Sequence, residues 1–302
     1  MKVSKKPKLK VIFFVDTEAD FYYRIPSPQF SRLDVLKWKL NRARGRWYRY
    51  PFPSRNGFMN ILEACKRHGQ KATFCIVGHL YLKSCRGFPH FHEQKPQDAW
   101  YTKVIGKDWY FWDTGGDYRS HPGLYLGDVI RKEKKNRLFD FGLHAFSHEA
   151  LTLESEKSIH SFVRAGVAAA KQCGVKITSF ACPFEMTEDA QDPEKVARVL
   201  ARNKISTLFQ SHLRHAGISP GDSLKKRYAL QKPVTKGNVK RIYLSEYVEG
   251  TSSRKHLKKI MGEILAHRQK DAVYCLGTHD FTHKNTKNLD ILFTFLKEEG
   301  FS

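Results

Sequence analysis

Short apolar runs and amphipathic segments alternate along most of the chain. Residues 10–15 are β-branched and aromatic and lead directly into acidic positions, which predicts a buried strand. Residues 57–69 place Phe58, Ile61 and Leu62 on one face and end at a glycine, which predicts a helix. The same patterns predict further strands at 71–77, 138–143, 177–182, 206–209, 240–247 and 272–276, and further helices at 33–40, 155–173, 193–203, 253–267 and 287–299.

The order of these elements favours one fold class. Strands that alternate with helices form parallel sheets joined by right-handed crossovers, so the pattern predicts an α/β barrel or a doubly wound sheet. Two intervals, 21–53 and 86–136, have weak periodicity, and loops of that length are uncommon unless they have a function such as covering a site. No linker stands out, so we expect a basic tail, residues 1–8, followed by a single domain, residues 9–302.

Composition supports a globular protein with a strongly basic surface. The chain is 41% hydrophobic and 13% aromatic, which excludes a disordered chain. Its net charge of +23 comes from 53 basic and 30 acidic residues. Such a surface attracts polyanions such as nucleic acids, acidic glycans or anionic lipid headgroups, and a basic surface without a dedicated partner is the alternative.

The N-terminal apolar run, residues 11–15, is shorter than the core of a signal peptide. No apolar segment approaches the roughly 20 residues of a membrane-spanning helix. We therefore expect a cytoplasmic protein, with peripheral contact at the inner, anionic face of the membrane as an option. The six cysteines include no CxxC pair, so reduced and mostly buried thiols are expected.

Two histidines follow the predicted strand at 138–143. His144 and His148 are four positions apart, so a helical turn at the strand end would place both imidazoles on one face, where they can bind one metal ion. This spacing alone is weak evidence, and two structural histidines explain it about equally well.

Acidic and histidine residues follow two other predicted strands. Asp16 and Glu18 point to one face if the chain stays extended, roughly 6–7 Å apart, and two such carboxylates need a cation nearby; a solvated acidic turn is the alternative. His279 comes shortly after the strand at 272–276. The carboxyl ends of parallel strands gather at one face, where active sites form, so the three segments predict one site.

Four segments, in this order, resemble the motifs of the polysaccharide deacetylases, also called the NodB-homology family. Residues 13–18 (FFVDTE) resemble its first acidic motif in the Asp-x-Glu variant, and residues 70–78 (QKATFCIVG) resemble its Lys-Ala-Thr-Phe-Phe strand. Residues 140–148 (DFGLHAFSH) resemble the His-x-x-Ser-His motif, and residues 276–279 (LGTH) the late Leu-x-x-His motif. Together they cover nearly the whole chain.

The resemblance implies a distorted (β/α) barrel of about seven units and one divalent metal ion, expected to be Zn²⁺. It implies that His144, His148 and an acidic residue are the metal ligands, and Glu18 is the predicted third ligand. Asp16 would then be the general base and His279 the general acid. The implied activity is hydrolysis of an N-acyl group, expected to be acetyl, from a saccharide.

The chain departs from the family at two places. The family's Arg-x-Pro-Tyr segment corresponds to residues 181–184 (ACPF), so Ala181 stands where the arginine that orients the base would be. An Asp-Trp segment expected near residues 206–212 is not evident. Glu185 or Arg214 are the candidate substitutes, and Cys182 is interpreted as a packing residue rather than a ligand.

Aromatic residues are candidates for contacts with a sugar ring. Trp109, Trp112 and Phe184 are the predicted substrate-binding residues, although the tryptophans fit a small satellite core equally well. A second metal site at His90, His92 and His121 is less favoured than ordinary loop histidines.

The partner implied by charge and location is an anionic or phosphate-linked saccharide, as an intermediate of cell-surface glycan synthesis. No stable nucleic acid partner is expected, and the oligomeric state is open. Two alternatives remain: a metal-dependent hydrolase of a non-sugar amide or cyclic ureide, and a non-catalytic basic binding module on a degenerate deacetylase fold.

Overall fold

The computed structural model describes residues 7–21, 31–43, 54–87, 113, 115–186, 191–210, 230 and 232–301. The strands in these ranges are β1 Lys10–Thr17, β2 Ala72–Ile76, β3 Ser84–Cys85, β4 Gly116–Asp117, β5 Phe139–Leu143, β6 Ser179–Ala181, β7 Thr207–Gln210, β8 Val234–Lys236, β9 Val239–Tyr247 and β10 Val273–His279. The helices are α1 Arg32–Ala43, α2 Ser54–His68, α3 Gly127–Glu133, α4 Glu156–Gln172, α5 Lys195–Arg202, α6 Arg254–Ala266 and α7 Lys287–Glu298.

Seven parallel strands close into a barrel. Their order is β10–β1–β2–β5–β6–β7–β9, and β9 pairs back to β10. The strand β8 adds an antiparallel hairpin to β9, and β3 pairs with β4 in a separate two-stranded ribbon. The predicted (β/α) barrel of about seven units is therefore confirmed.

Alternation along β1 divides the core into two layers. Phe13 and Val15 belong to the large cluster that includes residues of the helices, whereas Phe14 lies on the other face of the strand. Phe14 stacks on Phe209, with ring centroids 4.6 Å apart, in a smaller cluster formed by the barrel strands. Asp16 shares the inward face with Phe14 and lies above this apolar floor.

The interval 86–136, predicted to be a long loop, contains β4 and α3 in its described part. The helix has only seven residues and buries Gly127, Val129 and Ile130, so it is too short to give a clear helical period. In the interval 21–53, α1 lies where the sequence predicts a helix at 33–40.

All six cysteines are free thiols, and five of them are buried. Among the described helices, none combines the length and the apolar character that crossing a bilayer requires.

The turn after β2 packs closely against α4. A Cβ on Gly78 would lie 2.8 Å from the Cα of Gly166 and 3.0 Å from the Cα of Phe146. Both neighbours are backbone atoms, so they cannot move aside as a flexible side chain can. The backbone N–H of Gly78 also donates to Ala145 O at 2.8 Å, which ties this turn to the loop that follows β5.

We therefore expect Gly78→Ala to lower the free energy of unfolding by about 1–3 kcal/mol through overpacking. The matched control is Gly262→Ala in α6, where a Cβ meets nothing within 4 Å. That change should raise the free energy of unfolding by about 0.5–1 kcal/mol, because alanine is the better helix former. Urea denaturation measures both values, and equal effects would contradict the close packing at Gly78.

Candidate active site and metal centre

The three segments that carry the candidate acidic residues and histidines meet at one rim of the barrel. Asp16 and Glu18 lie at the end of β1, His144 follows β5, and His279 ends β10. Because the barrel strands are parallel, their carboxyl ends share this rim. Asp16 and His279 are direct partners in the β1–β10 register.

Glu18 lies between two imidazoles. Its Oε1 is 3.6 Å from His144 Nε2, and its Oε2 is 3.3 Å from His148 Nε2. One ligand atom from each residue lies within 4.8 Å of the other two. Bonds of about 2.0–2.2 Å to a tetrahedral zinc ion place ligand atoms about 3.4 Å apart, so the spacing suits a small divalent ion.

The facing atoms of this triad are buried and lack hydrogen bonds. Glu18 Oε2, His144 Nε2 and His148 Nε2 have no hydrogen-bond partner. A buried polar atom left in this way costs about 1–3 kcal/mol, and a metal ion removes that cost. The nitrogen and carboxylate donors also match the ligands that zinc prefers, so these three residues fit one divalent ion.

The tautomer of His144 is fixed by the backbone. Its Nδ1 lies 2.9 Å from the carbonyl oxygen of Ala181, which only accepts, so Nδ1 carries the proton. The lone pair is therefore on Nε2, the atom that faces Glu18. This is the usual arrangement for a histidine that ligates a metal.

A helical turn would place His144 and His148 on one face, but the structure has no helix between them. Residues 145–147 form a turn, and His148 adopts a left-handed conformation with φ 62°. The carboxylate of Glu149 fixes this turn by accepting the N–H groups of Phe146 and Ser147 and the hydroxyl of Ser147. The two imidazoles still converge, with ring centroids 4.9 Å apart.

Left-handed backbone is concentrated around the site. Six non-glycine residues in the described part have positive φ, and five of them lie in the rim loops: Ala19, Ala145, His148, Phe184 and Glu185. Each such residue costs about 1–3 kcal/mol and persists only because the surroundings impose it. The rim therefore holds its side chains in positions that the local sequence alone does not favour.

The two carboxylates of β1 have opposite pKa shifts. Burial raises the pKa of Asp16 to about 6, although His144 and His279 oppose the shift. Burial would also raise the pKa of Glu18, but His148 and His144 beside it hold that pKa well below its ordinary value. Glu18 is thus a permanent anion suited to ligation, and Asp16 is suited to exchange a proton near neutral pH.

His279 is held by a carboxylate that the sequence does not single out. Glu249 Oε1 lies 2.6 Å from His279 Nδ1, and Glu249 Oε2 accepts from the hydroxyl of Thr282 at 2.7 Å. Burial would lower the pKa of His279, but Glu249 raises it well above its ordinary value. The Nε2 atom of this protonated ring lies 3.9 Å from Asp16 Oδ2, on the side of the metal triad.

No family model and no curated protein matches the chain, but solved structures do. A putative polysaccharide deacetylase from Mycobacterium smegmatis superimposes with a TM-score of 0.56 at 16% identity, over 99% of this chain and 86% of that chain. The chain has the polysaccharide deacetylase fold. The resemblance drawn from the four motifs is therefore confirmed in the fold, while the Asp-x-Glu variant remains a prediction.

Other deacetylase-like structures also match the chain. The family 4 carbohydrate esterase from Streptomyces lividans, solved in complex with acetate, aligns with a TM-score of 0.44 at 9% identity, over 97% of this chain and 91% of that chain.

On this deacetylase fold, the arginine missing at position 181 has no charged replacement among the described residues near Asp16. The hydroxyl of Tyr247 lies 3.4 Å from Asp16 Oδ2 and also hydrogen-bonds Glu185. Glu185 is a like charge that raises the pKa of Asp16, so it does not replace the arginine. Tyr247 therefore contacts Asp16, and Arg214 lies outside the described residues.

Of the three predicted substrate-binding residues, one lies at the site and two lie outside the described part of the chain. Phe184 lies at the site, with its ring edge-on to His148 at a centroid distance of 4.5 Å. Trp109 and Trp112 lie outside the described residues. A recess opens beside Asp16 and is lined by residues of four barrel strands and the segment after β6: Phe14, Asp16, Ala181, Cys182, Glu185, Phe209, Gln210, Leu244 and Tyr247.

We expect Glu18→Gln and His148→Ala each to lower the metal content by about one equivalent per chain, because each removes one of three ligands. Asp16→Asn should retain the metal, since Asp16 lies beside the triad without belonging to it. Elemental analysis of the purified proteins measures this. Metal loss in Asp16→Asn with retention in Glu18→Gln would reverse the assignment of the two carboxylates.

Proposed function

We propose that this protein is a metal-dependent carbohydrate N-deacetylase, a hydrolase that removes an N-acyl group, in the first instance acetyl, from a saccharide. One observation carries the proposal. The unpartnered donor atoms of Glu18, His144 and His148 face a common point, and Asp16 and the protonated His279 lie beside that point. Metal ligands, a base and an acid within one rim are the components that amide hydrolysis requires.

Zn²⁺ is the ion that we propose for this centre. Held by Glu18, His144 and His148, it would supply Lewis acidity, which polarises an acyl carbonyl and makes water more acidic. Three protein ligands are typical of catalytic rather than structural zinc sites.

Asp16 and His279 divide the proton transfers. Asp16 accepts a proton from the attacking water while the new C–O bond forms, and its position beside Tyr247 keeps one carboxylate oxygen directed at the site. His279 then donates its Nε2 proton to the nitrogen as the C–N bond breaks. The products are a free amine on the sugar and the carboxylic acid, so atoms and protons balance.

Glu249 sets the protonation state of the acid. Its carboxylate lies on Nδ1 of His279, so the ring keeps both protons and presents the Nε2 proton to the site. Tyr247 stacks on the same ring, with centroids 4.9 Å apart and planes 22° apart, which limits its rotation. Glu249 and Tyr247 are positioning residues in this scheme.

The proposed substrate is a saccharide with negative charge, such as a phosphate-linked intermediate of cell-surface glycan synthesis. The net charge of +23 favours such a ligand over a neutral one. Phe184 lies against His148 and offers an aromatic ring at the mouth of the metal centre. The recess beside Asp16 has the polar groups of Glu185 and Tyr247 for contacts with hydroxyl groups.

We expect the zinc-loaded protein to release acetate from N-acetylated sugars, and faster from phosphate-linked sugars than from neutral oligosaccharides. Asp16→Asn and His279→Ala should each lower kcat by about 10²–10⁴-fold, because each removes one proton-transfer group. A coupled acetate assay measures the rates, with Phe301→Leu near the C-terminus as a control remote from the rim. Turnover of a cyclic ureide, with no acetate from any sugar, would contradict the proposed substrate class.

The role of Glu249 gives a separate prediction. The acid His279 must be protonated, so activity falls as pH rises through its pKa, and Glu249 raises that pKa. In Glu249→Gln the basic limb of the kcat/KM profile should therefore move to lower pH, and the maximal rate should fall about 10–100-fold. Thr282→Val removes a hydrogen bond to Glu249 but keeps its charge, so it should leave the limb in place. An unchanged limb in Glu249→Gln would exclude His279 as the acid.

A further inference from the structure

A second group of metal-binding side chains lies apart from the active site. It consists of His79, Cys85 and Asp113, and one ligand atom from each lies within 4.8 Å of the other two. His79 belongs to the turn after β2, Cys85 ends β3, and Asp113 precedes β4. The side chains of His79 and Asp113 are fully buried, and Cys85 is half-buried.

The distances in this group resemble the edges of a tetrahedron. Taken through one carboxylate oxygen, Cys85 Sγ is 3.5 Å from His79 Nε2 and 3.7 Å from Asp113 Oδ2, and His79 Nε2 is 3.9 Å from Asp113 Oδ2. Zinc bonds of about 2.3 Å to sulfur and 2.0–2.2 Å to nitrogen and oxygen give edges of about 3.4–3.6 Å. The shortest of the three distances has this length, and the other two are slightly longer.

The orientation of His79 is also that of a ligand. Its Nδ1 lies 3.0 Å from the carbonyl oxygen of Leu124, so Nδ1 carries a proton and the neutral ring has its lone pair on Nε2. That nitrogen faces Cys85 and Asp113. The ring is packed by Phe21, Tyr125 and Phe146, which hold it in place. Backbone support of one ring nitrogen, with the other nitrogen directed at the ligand cluster, is typical of metal-bound histidine.

A cysteine nucleophile with a histidine base would need a different arrangement. In such a triad the acidic residue contacts the ring nitrogen remote from the nucleophile. Here Cys85 and Asp113 both face Nε2, and a backbone carbonyl contacts Nδ1.

A divalent cation would be attracted to the donor atoms of all three side chains. Asp113 Oδ1 accepts from the N–H of Gly115 at 2.8 Å, and His79 Nε2 and Asp113 Oδ2 both face the thiol of Cys85. A divalent ion there interacts favourably with all three donors at once and converts the thiol to its thiolate. An imidazolium–carboxylate pair without metal is the competing state.

We propose that His79, Cys85 and Asp113 form a second site for a zinc-like divalent ion, distinct from the metal centre at the barrel rim. The ion would fasten the β3–β4 ribbon to the turn after β2, because Cys85 and Gly116 are partners in the ribbon and Asp113 precedes it closely. The hydroxyl of Tyr125 lies 3.0 Å from Cys85 Sγ.

Cobalt substitution tests this site separately from the catalytic one. The catalytic centre has no sulfur ligand, so a thiolate-to-Co²⁺ charge-transfer band in the near ultraviolet reports only on Cys85. Metal-free full-length protein is titrated with Co²⁺ and followed by absorption, and the bound metal is then counted by elemental analysis. We expect about two equivalents in the wild type, with one thiolate band.

The variants separate the two centres. Cys85→Ala should lose the band and one equivalent, whereas His148→Ala should keep the band and lose the other equivalent. Asp113→Asn keeps the thiol and the side-chain volume, so it should fold normally while Co²⁺ affinity at this site falls at least about tenfold. Cys65→Ala removes a buried thiol outside both groups and should leave the band unchanged.

Two results would overturn the proposal. One is a wild type that binds Co²⁺ with no thiolate band, which is the behaviour of an imidazolium–carboxylate pair. The other is a band that survives in Cys85→Ala. Circular dichroism of each variant shows whether a lost band reflects a lost ligand or a lost fold, and Asp113→Asn decides the matter if Cys85→Ala does not fold. Neither readout uses catalysis, so failure of the deacetylase proposal leaves this test intact.

Discussion

Closure of the barrel through the β1–β10 pairing is the constraint on which the site depends. The parallel register places Asp16 opposite His279, two residues that are 263 positions apart in the chain. Glu18 and Ala19 extend this contact, since their N–H groups donate to the carboxylate of Asp280. The ends of the chain therefore build one half of the rim, and the loop after β5 supplies the other half.

The rim also balances the charges of its buried side chains. Two carboxylates and three imidazoles lie in a largely buried space, where an unbalanced charge is costly. The apolar floor of the barrel raises the pKa of Asp16, and the histidines hold Glu18 ionised. The pKa values of Asp16 and Glu18 therefore shift in opposite directions because of their surroundings. An Asp-x-Glu motif alone does not show which of the two pKa values is raised.

The sequence predicted much of this arrangement because an apolar run marks each strand and shows where the strand ends. Asp16, Glu18, His144 and His279 each follow an apolar run, and parallel topology then brings them together. Glu249 was missed although it follows the predicted strand at 240–247, the same signal that identified the others. Tyr247 was missed because its role depends on the direction of its side chain. The turn at His148 was missed because Glu149 imposes its conformation. The group of His79, Cys85 and Asp113 depends on a two-residue ribbon strand, which is too short to leave a periodic pattern.

The left-handed residues of the rim have a consequence for the order of folding and metal binding. A chain that has not yet closed its barrel has no reason to keep His148 or Ala145 in a costly conformation, so the ligand set does not preassemble on a short peptide. Binding of the proposed metal ion would then follow closure of the barrel. An ion held at this rim would therefore be present only in molecules whose barrel strands have paired.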